Sequence, residues 1–252
     1  MNALAVEVRE LAGPAEMRAG VALYREVFQL ASDDPAVSPR LLTALQHNGG
    51  AVLGAFAGDE LVGFVYGFLG LDRQGELYHY SQMAVVATNQ QGRGVGKALK
   101  LGQRDFVLTQ GVMRMRWAFD PLRVRNAYFN LDVLGARARW FTPDMYSVED
   151  TGRDAGRPSH RLVADWDLAA SRAGDVPVSH PEPPAQLPPA RATPQGWDTL
   201  LAVPAHHEPA ELAGHTESVA AELGRLTAAG LAAVSCRRSA DGSYVYRLRE
   251  DR

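Results

Sequence analysis

One cysteine, Cys236, is present in 252 residues. A lone thiol excludes an intrachain disulfide and any cysteine-based metal cluster, and it argues against thiol catalysis. An excess of one charge is also missing: 26 Lys and Arg stand against 29 Asp and Glu, a formal net charge of −3. Nothing global therefore draws the chain to nucleic acid or to an anionic membrane. No apolar run approaches the roughly 18 residues a bilayer span needs, and Met1–Glu10 lacks a basic region followed by an apolar stretch. These absences lead to the expectation of a cytoplasmic protein with neither nucleic acid nor membrane as partner. The seven histidines are scattered, and the adjacent pair His206-His207 is poorly placed to chelate together, so no metal site is expected. What is present is ordinary for a globular chain, with 46% hydrophobic and 22% charged residues. That length buries one good core and leaves material for a second, smaller unit.

Apolar periodicity and turn residues divide the chain. Val6–Leu11 reads as a strand. Pro14 opens an amphipathic stretch with Met17, Val21, Tyr24, Val27 and Phe28 at helical spacing, and Ser38-Pro39 opens a second helix ending near Asn48. Ala51–Ala57 and Leu61–Leu69 are strands joined by the turn Gly58-Asp59-Glu60, and Glu76–Ala87 is the next strand. A helix over Lys97–Gln110, a strand over Val112–Phe119, a helix over Val124–Leu134 closed by Gly135, and strands over Arg137–Phe141 and Arg161–Leu168 follow. Seven prolines between residues 171 and 196 predict an extended linker with polyproline character. Beyond it, Thr199–Val203, Pro209–Ala229, Leu231–Cys236 and Tyr244–Leu248 read as strand, helix, strand, strand. The expected division is a main domain over 1–170, a linker over 171–196 and a small module over 197–252. A module that short is marginal alone, so it is expected to pack on the main domain or on a second subunit. A linker that long would allow C-terminal exchange in a homodimer.

The richest local pattern is Gln90-Gln91-Gly92-Arg93-Gly94-Val95-Gly96, set between a strand and a helix. Glycines on alternate positions remove the side chains that would keep an anion off the backbone. The N–H groups of such a turn, backed by a helix N-terminus, converge on a diphosphate. The common nucleotide patterns do not fit. A P-loop needs glycine where Gln91 stands and Ser or Thr where Ala98 stands, and G-x-G-x-x-G fails because Lys97 or Leu99 falls at its third glycine.

What does fit is Gln/Arg-x-x-Gly-x-Gly/Ala, as Gln91, Gly94 and Gly96, which resembles the acyl-CoA pyrophosphate loop of the GNAT superfamily of N-acyltransferases. The resemblance runs from about residue 5 to 168. It takes in the element order, the strand ending Trp117–Pro121, and the Asn126–Gly135 segment closing on Leu134-Gly135. Through Leu99–Gly111 and Phe119–Ala136 the chain is most similar to a bacterial GNAT subgroup with a C-terminal extension. The implied fold class is α/β, an α+β mixed sheet in the GNAT arrangement, followed by a small β-α-β-β module. The implied cosubstrate is acetyl-CoA or another acyl-CoA, with no metal, and the implied reaction is direct attack of an amine on the thioester. Some members of that subgroup are linked with N-acyl amino acid metabolism, which points to a small amine or amino acid as acceptor and an acetyl or succinyl donor.

The resemblance also implies roles. Backbone groups of Ala84 and Val86 hold the pantetheine arm, and Gln91, Gly92, Arg93, Gly94, Val95, Gly96 and Lys97 hold the diphosphate. Asn126 caps its helix or bonds the pantetheine. Strand alternation, taken in parity with Ala84 and Val86, assigns Tyr80 and Gln82 to the acceptor cleft, although Tyr78 and Tyr80 also fit cross-strand packing. The base is open between Asp120, Glu76 and a water held by Tyr80 and Gln82, with Asp120 the first choice and a turn-forming role its rival. The superfamily often places a tyrosine four residues before the helix-ending glycine to protonate the thiolate. Leu131 stands there, leaving Tyr128, one turn earlier, or water. Arg123 and Arg125 are candidates for a substrate carboxylate or the CoA 3′-phosphate. The missing tyrosine keeps a noncatalytic acyl-CoA-binding or regulatory module open, and protein N-acetylation is a third reading.

Overall fold

The computed structural model describes residues 5–147, 158–169, 182–184, 187–196, 198–203 and 209–251, with only the backbone for 209–215. The described residues up to Arg116 form one compact unit, and those from Trp117 onward form another.

In the first unit the strands lie in the order β1 (Glu7–Glu10), β2 (Val52–Ala57), β3 (Glu60–Leu71), β4 (Leu77–Val86), β5 (Arg114–Phe119). Every pairing is antiparallel except β4 with β5, which is parallel. The mixed sheet follows from the connections: hairpins join β2, β3 and β4, whereas β5 returns only after a helix. Helix α1 (Gly13–Phe28) carries Pro14 in its first turn. Helix α2 (Pro39–His47) is capped by Ser38, whose Oγ accepts from the Leu41 N–H at 3.1 Å. Both bury their apolar stripes on one sheet face, where Met17, Leu23, Val27 and Leu42 meet Val52, Phe56, Phe64 and Val85. Helix α3 (Val95–Thr109) covers the other face, with Val95 and Leu99 against Leu53, Ala55, Val62 and Val65. The alternation of Val52 and Phe56 with Leu53 and Ala55 makes β2 a strand buried on both sides.

Two irregularities position the loop region. On β4 the register steps from Tyr66↔Met83 to Gly67↔Ser81, so Gln82 is an extra residue, a β-bulge. Met83 and Val85 pack on the α1 and α2 side while Val86 packs on the α3 side. Ser81 and His79, which share the odd parity of Met83, instead reach α3. The bulge has therefore exchanged the faces. The second irregularity is the short ladder to β5. Among the described residues it consists of His79↔Met115 and Tyr80↔Arg116, which leaves the β5-side edge of β4 from Gln82 to Val86 outside it.

In the second unit the strands lie in the order β7 (Arg161–Asp167), β6 (Arg137–Thr142), β10 (Leu231–Arg238), β11 (Tyr244–Glu250), β9 (Asp198–Val203), β8 (Ala192–Gln195). Trp117 and Trp166 meet edge to face at 6.1 Å. Helix α5 (Pro209–Ala228) buries Val219, Ala220, Leu223 and Leu226. Gly224 lets it approach β6, since a Cβ there would come within 3.1 Å of Phe141. Asp198 holds Arg247 and Arg249, locking β9 to β11.

Two sequence expectations are corrected here. Residues 192–195, placed in the linker, form edge strand β8. Pro194 is compatible with it because an edge strand can leave one side without N–H donors. Pro177 and Pro181 lie outside the described residues. The helix expected over Val124–Leu134 is α-helical only as α4 (Val124–Tyr128). Phe129–Val133 is a π-helical turn in which the Leu134 N–H reaches the Phe129 carbonyl at 3.0 Å. Among the described residues no helix is long and apolar enough to cross a membrane.

Candidate functional site

The glycine loop lies between the end of β4 and the start of α3, with a single 3-10 turn, Thr88–Gln90, leading into it. Gly92 and Gly94 have φ of 74° and 88°, the left-handed region that glycine enters without Cβ strain. Gly94 is the N-cap of α3 and no side chain caps the helix. The opening N–H groups of α3 thus lack an intrahelical acceptor by geometry and a capping one by sequence. Gly96 is different. Its φ is not positive, and a Cβ would find nothing closer than Val86 at 3.7 Å, an ordinary contact. Neither backbone conformation nor protein packing requires glycine there, and its absent side chain leaves room beside the first helical turn. Around the loop, Arg93 donates to Gln90 Oε1 at 2.7 Å and Gln91 Nε2 to the Val86 carbonyl at 3.1 Å. Val95 is buried and anchors the turn, while Lys97 is half-buried.

Strand and helix are tied beneath this loop by a buried polar chain. Lys100 Nζ donates to Ser81 Oγ at 2.7 Å, and Ser81 Oγ donates to Gln103 Oε1 at 2.8 Å. Gln103 Nε2 then lies 3.2 Å from His79 Nε2. With Oε1 turned toward the serine, the amide must donate to the imidazole, which makes the ring neutral with its proton on Nδ1. That Nδ1 is buried without a hydrogen-bond partner among the described residues. Burial lowers the Lys100 amine to about 7, and burial together with the nearby Lys100 charge lowers His79 to about 4. Sequence reasoning missed this chain. Its only trace is polar Lys100 and Gln103 on the face of α3 that also carries Val95, Leu99 and Val107.

The predicted residues distribute over both units. In the first, Tyr80 is half-buried, its ring 5.7 Å from Phe68, while Gln82 and Ala84 are exposed and Val86 is half-buried. The bulge at Gln82 corrects the parity argument. Tyr80 pairs with Phe68, which shares the face of Phe64 and Tyr66, whereas Val86 packs on the opposite face. Alternation therefore does not connect Tyr80 with Ala84 and Val86.

In the second unit, Asp120 Oδ1 accepts the Leu122 N–H at 2.8 Å and Oδ2 faces Arg123 Nε at 3.5 Å, the geometry of a turn-forming aspartate. Arg123 is the N-cap of α4 and no side chain caps that helix, so Asn126, in the first turn and exposed, does not cap it as one reading expected. Arg125 is exposed, and Tyr128 is 44% exposed. Leu131, in the π-helical turn, is 3% exposed. Glu76 is exposed in the first unit.

No family model and no curated protein matches the sequence. Solved structures do match in three dimensions. Ribosomal-protein-alanine N-acetyltransferase of Brucella melitensis superposes with a TM-score of 0.53 at 16% identity, over 64% of this chain and 99% of its own. The yncA protein of Salmonella typhimurium, solved with its cofactor acetyl-CoA, gives 0.52 at 18%, over 68% and 98%. A GNAT-family acetyltransferase of Streptococcus pneumoniae gives 0.50 at 16%, over 64% and 98%. The chain has the GNAT acetyltransferase fold. Each neighbour is matched almost whole, and the remainder of this chain is additional to it.

Proposed function

We propose that this chain is an acyl-CoA-dependent N-acyltransferase that passes an acetyl or succinyl group to a small amine, with amino acids among its acceptors. The observation that carries the reading is Gly96, a glycine with an ordinary φ and no clash at its Cβ position, in the uncapped first turn of α3. The residues fit a diphosphate: the N–H groups from Gly92 to Lys97 are available to it, and Arg93 and Lys97 add positive charge. The edge of β4 beyond the Gln82 bulge has the main-chain groups that an amide-containing pantetheine arm would add to, which supports roles for Ala84 and Val86. The presence of acetyl-CoA in the yncA neighbour is consistent with this choice of ligand.

When bound, the acyl-CoA supplies a thioester carbonyl. The acceptor's nitrogen lone pair forms the new N–C bond, the C–S bond breaks with its electron pair on sulfur, and the amine gives up a proton. An alkyl amine with a pKa of about 10.4 is neutral in only about one molecule in a few thousand at pH 7, so a proton acceptor is required. Asp120 is assigned that role, with Tyr80 and Gln82 contacting the acceptor. The thiolate leaves with a pKa near 8.5, so protonation by Tyr128 or by water suffices. Arg123 and Arg125 are assigned to an acceptor carboxylate or the 3′-phosphate, and Asn126 to the pantetheine. The proposed protein is cytoplasmic, and its proposed assembly is a homodimer.

A noncatalytic acyl-CoA-binding module is the second reading, favoured by the burial of apolar Leu131 where the superfamily often has its acid. Release of free CoA thiol from acetyl-CoA and succinyl-CoA, measured across a panel of amines and amino acids, separates the two. Acceptor-dependent release above thioester hydrolysis supports the enzyme. Binding of CoA without any such release establishes the module.

A further inference from the structure

Strands β10 and β11 carry side chains and a main-chain N–H that reach back to both ends of the segment holding Asp120, Arg123, Arg125, Asn126 and Tyr128. At the near end, the Tyr246 hydroxyl, fully buried, donates to the Pro121 carbonyl at 2.7 Å, directly after Asp120. At the far end, Asp132 in the π-helical turn has a buried carboxylate that takes three donors from consecutive residues of β10. Oδ1 accepts from Ser235 Oγ at 2.8 Å and Arg237 Nε at 2.6 Å, and Oδ2 accepts from the Cys236 N–H at 2.8 Å. Cys236 lies across from Tyr246 in the β10–β11 ladder and its thiol interacts with that hydroxyl, so the two ties form one cluster.

The sequence of β10 is arranged for this task. Its register with β11 jumps between Ala233 and Ser235, making Val234 an extra residue. Its ladder with β6 consists of a single pair, Ala233↔Ala138, among the described residues. Beyond the bulge the Cys236 N–H turns to the Asp132 carboxylate, and Ser235 and Arg237, two residues apart, join it from one side. A buried carboxylate with three donors is satisfied where it stands and costly anywhere else in the interior. It therefore selects one arrangement of residues 129–133 over the α-helical register that the same residues could otherwise adopt.

We infer that Asp132 and Tyr246 are positioning residues, through which the C-terminal hairpin β10–β11 braces the segment Asp120–Val133 and sets the orientation of Asn126 and Tyr128. This rests on the acyltransferase reading for its effect on turnover, while the brace itself is a property of the fold. It gives the C-terminal residues a part in acyl transfer rather than in oligomerisation alone.

The test uses the full chain with Asp132→Asn and Tyr246→Phe, each close in shape to the original. Amide exchange of residues 123–134 and the labelling rate of Cys236, the only thiol, report the brace without any reference to activity. Both should rise by about tenfold or more in each variant. Turnover with both amine and acetyl-CoA saturating should fall by about ten- to a hundredfold. Unchanged exchange and labelling would overturn the brace. Faster exchange with unchanged kcat would reduce it to a structural tie and overturn the positioning role. A wild-type chain that binds acetyl-CoA but never transfers its acyl group would defeat the enzymatic reading and with it the positioning role, while exchange and labelling still decide the brace.

Discussion

Lys100 Nζ donates to Ser81 Oγ at 2.7 Å, joining α3 to the strand that precedes its glycine loop through two side chains that are each at least 95% buried. The serine stands one residue before the bulge at Gln82, and the lysine lies in the second turn of the helix that opens the loop. One buried hydrogen bond thus couples both flanks of the proposed diphosphate cradle.

Placing that amine in the interior makes stability depend on pH. Lys100 has a folded value of about 7 against 10.5 unfolded, so between those values the unfolded chain binds more protons. Unfolding free energy must therefore climb as pH rises from about 7 to 10.5, and this contribution is lost as pH falls back through that window. Lys100→Met removes the titration and should flatten the climb. At pH 7 the variant should be as stable as wild type or more so, because an apolar side chain has no charge to desolvate. Urea unfolding at pH 6, 7.5 and 9.5 checks this, and a variant that keeps the full climb would refute it.

His79 gives the acid counterpart. Its folded value of about 4 lies below the ordinary 6.5, chiefly through burial and secondarily through Lys100. Stability should therefore drop as pH falls from 6.5 toward 4. In Lys100→Met the His79 midpoint, read from its ring resonances in NMR titration, should move upward because the neighbouring charge is gone.

Gly67 guards this chain. A Cβ there would collide with His79 Nε2 and the Tyr80 carbonyl. Gly67→Ala should destabilise the fold by about 3 kcal/mol or more, combining overpacking with loss of the Gln103–His79 bond. A thermal midpoint within a degree of wild type would show that the strand yields.

How much of this was legible in the sequence depended on the range of the interaction. Element order was readable because Met17, Val21, Tyr24, Val27 and Phe28 recur at helical spacing, and the β2–β3 hairpin because Gly58-Asp59-Glu60 is a turn-forming sequence, with Gly58 at φ of 61°. The glycine turn was readable because Gly92, Gly94 and Gly96 fall between an apolar strand run and a helical run. The bulge was not, since one extra residue, Gln82, leaves no mark on composition yet reverses the face of every side chain after it. The π-helical turn was hidden because Phe129–Val133 suits an α-helix equally well and is held otherwise by Ser235, Cys236 and Arg237, about a hundred residues away in sequence. Strand β8 was obscured by Pro194, which only a strand at the sheet edge tolerates.

The loop glycines should separate folding from binding. Gly94→Ala forces a Cβ onto a backbone with φ of 88° and should lower stability by roughly 1–3 kcal/mol. Gly96→Ala meets no strain and should leave stability unchanged or raise it by roughly 0.4–1 kcal/mol. Gly96→Val, bulkier and still free of backbone strain, should weaken acetyl-CoA binding about tenfold or more by calorimetry while the chain remains folded. Undiminished affinity in a folded Gly96→Val chain would remove the observation on which the functional assignment stands.

Asp120 is the sharpest test of the chemistry because its geometry serves two readings. Its carboxylate already holds the Leu122 N–H and faces Arg123, so a turn-forming role accounts for both oxygens. Asp120→Asn separates the roles. The amide oxygen can still accept from Leu122 and preserve the turn, whereas the capacity to take a proton from an amine is lost. If Asp120 is the base, turnover at pH 7 should fall by about a hundredfold to ten-thousandfold with acetyl-CoA affinity unchanged, and the rate should then follow pH only through ionisation of the acceptor amine. Unaltered turnover and an unaltered profile would confine Asp120 to the turn and move the search for the base to a water held by Tyr80 and Gln82.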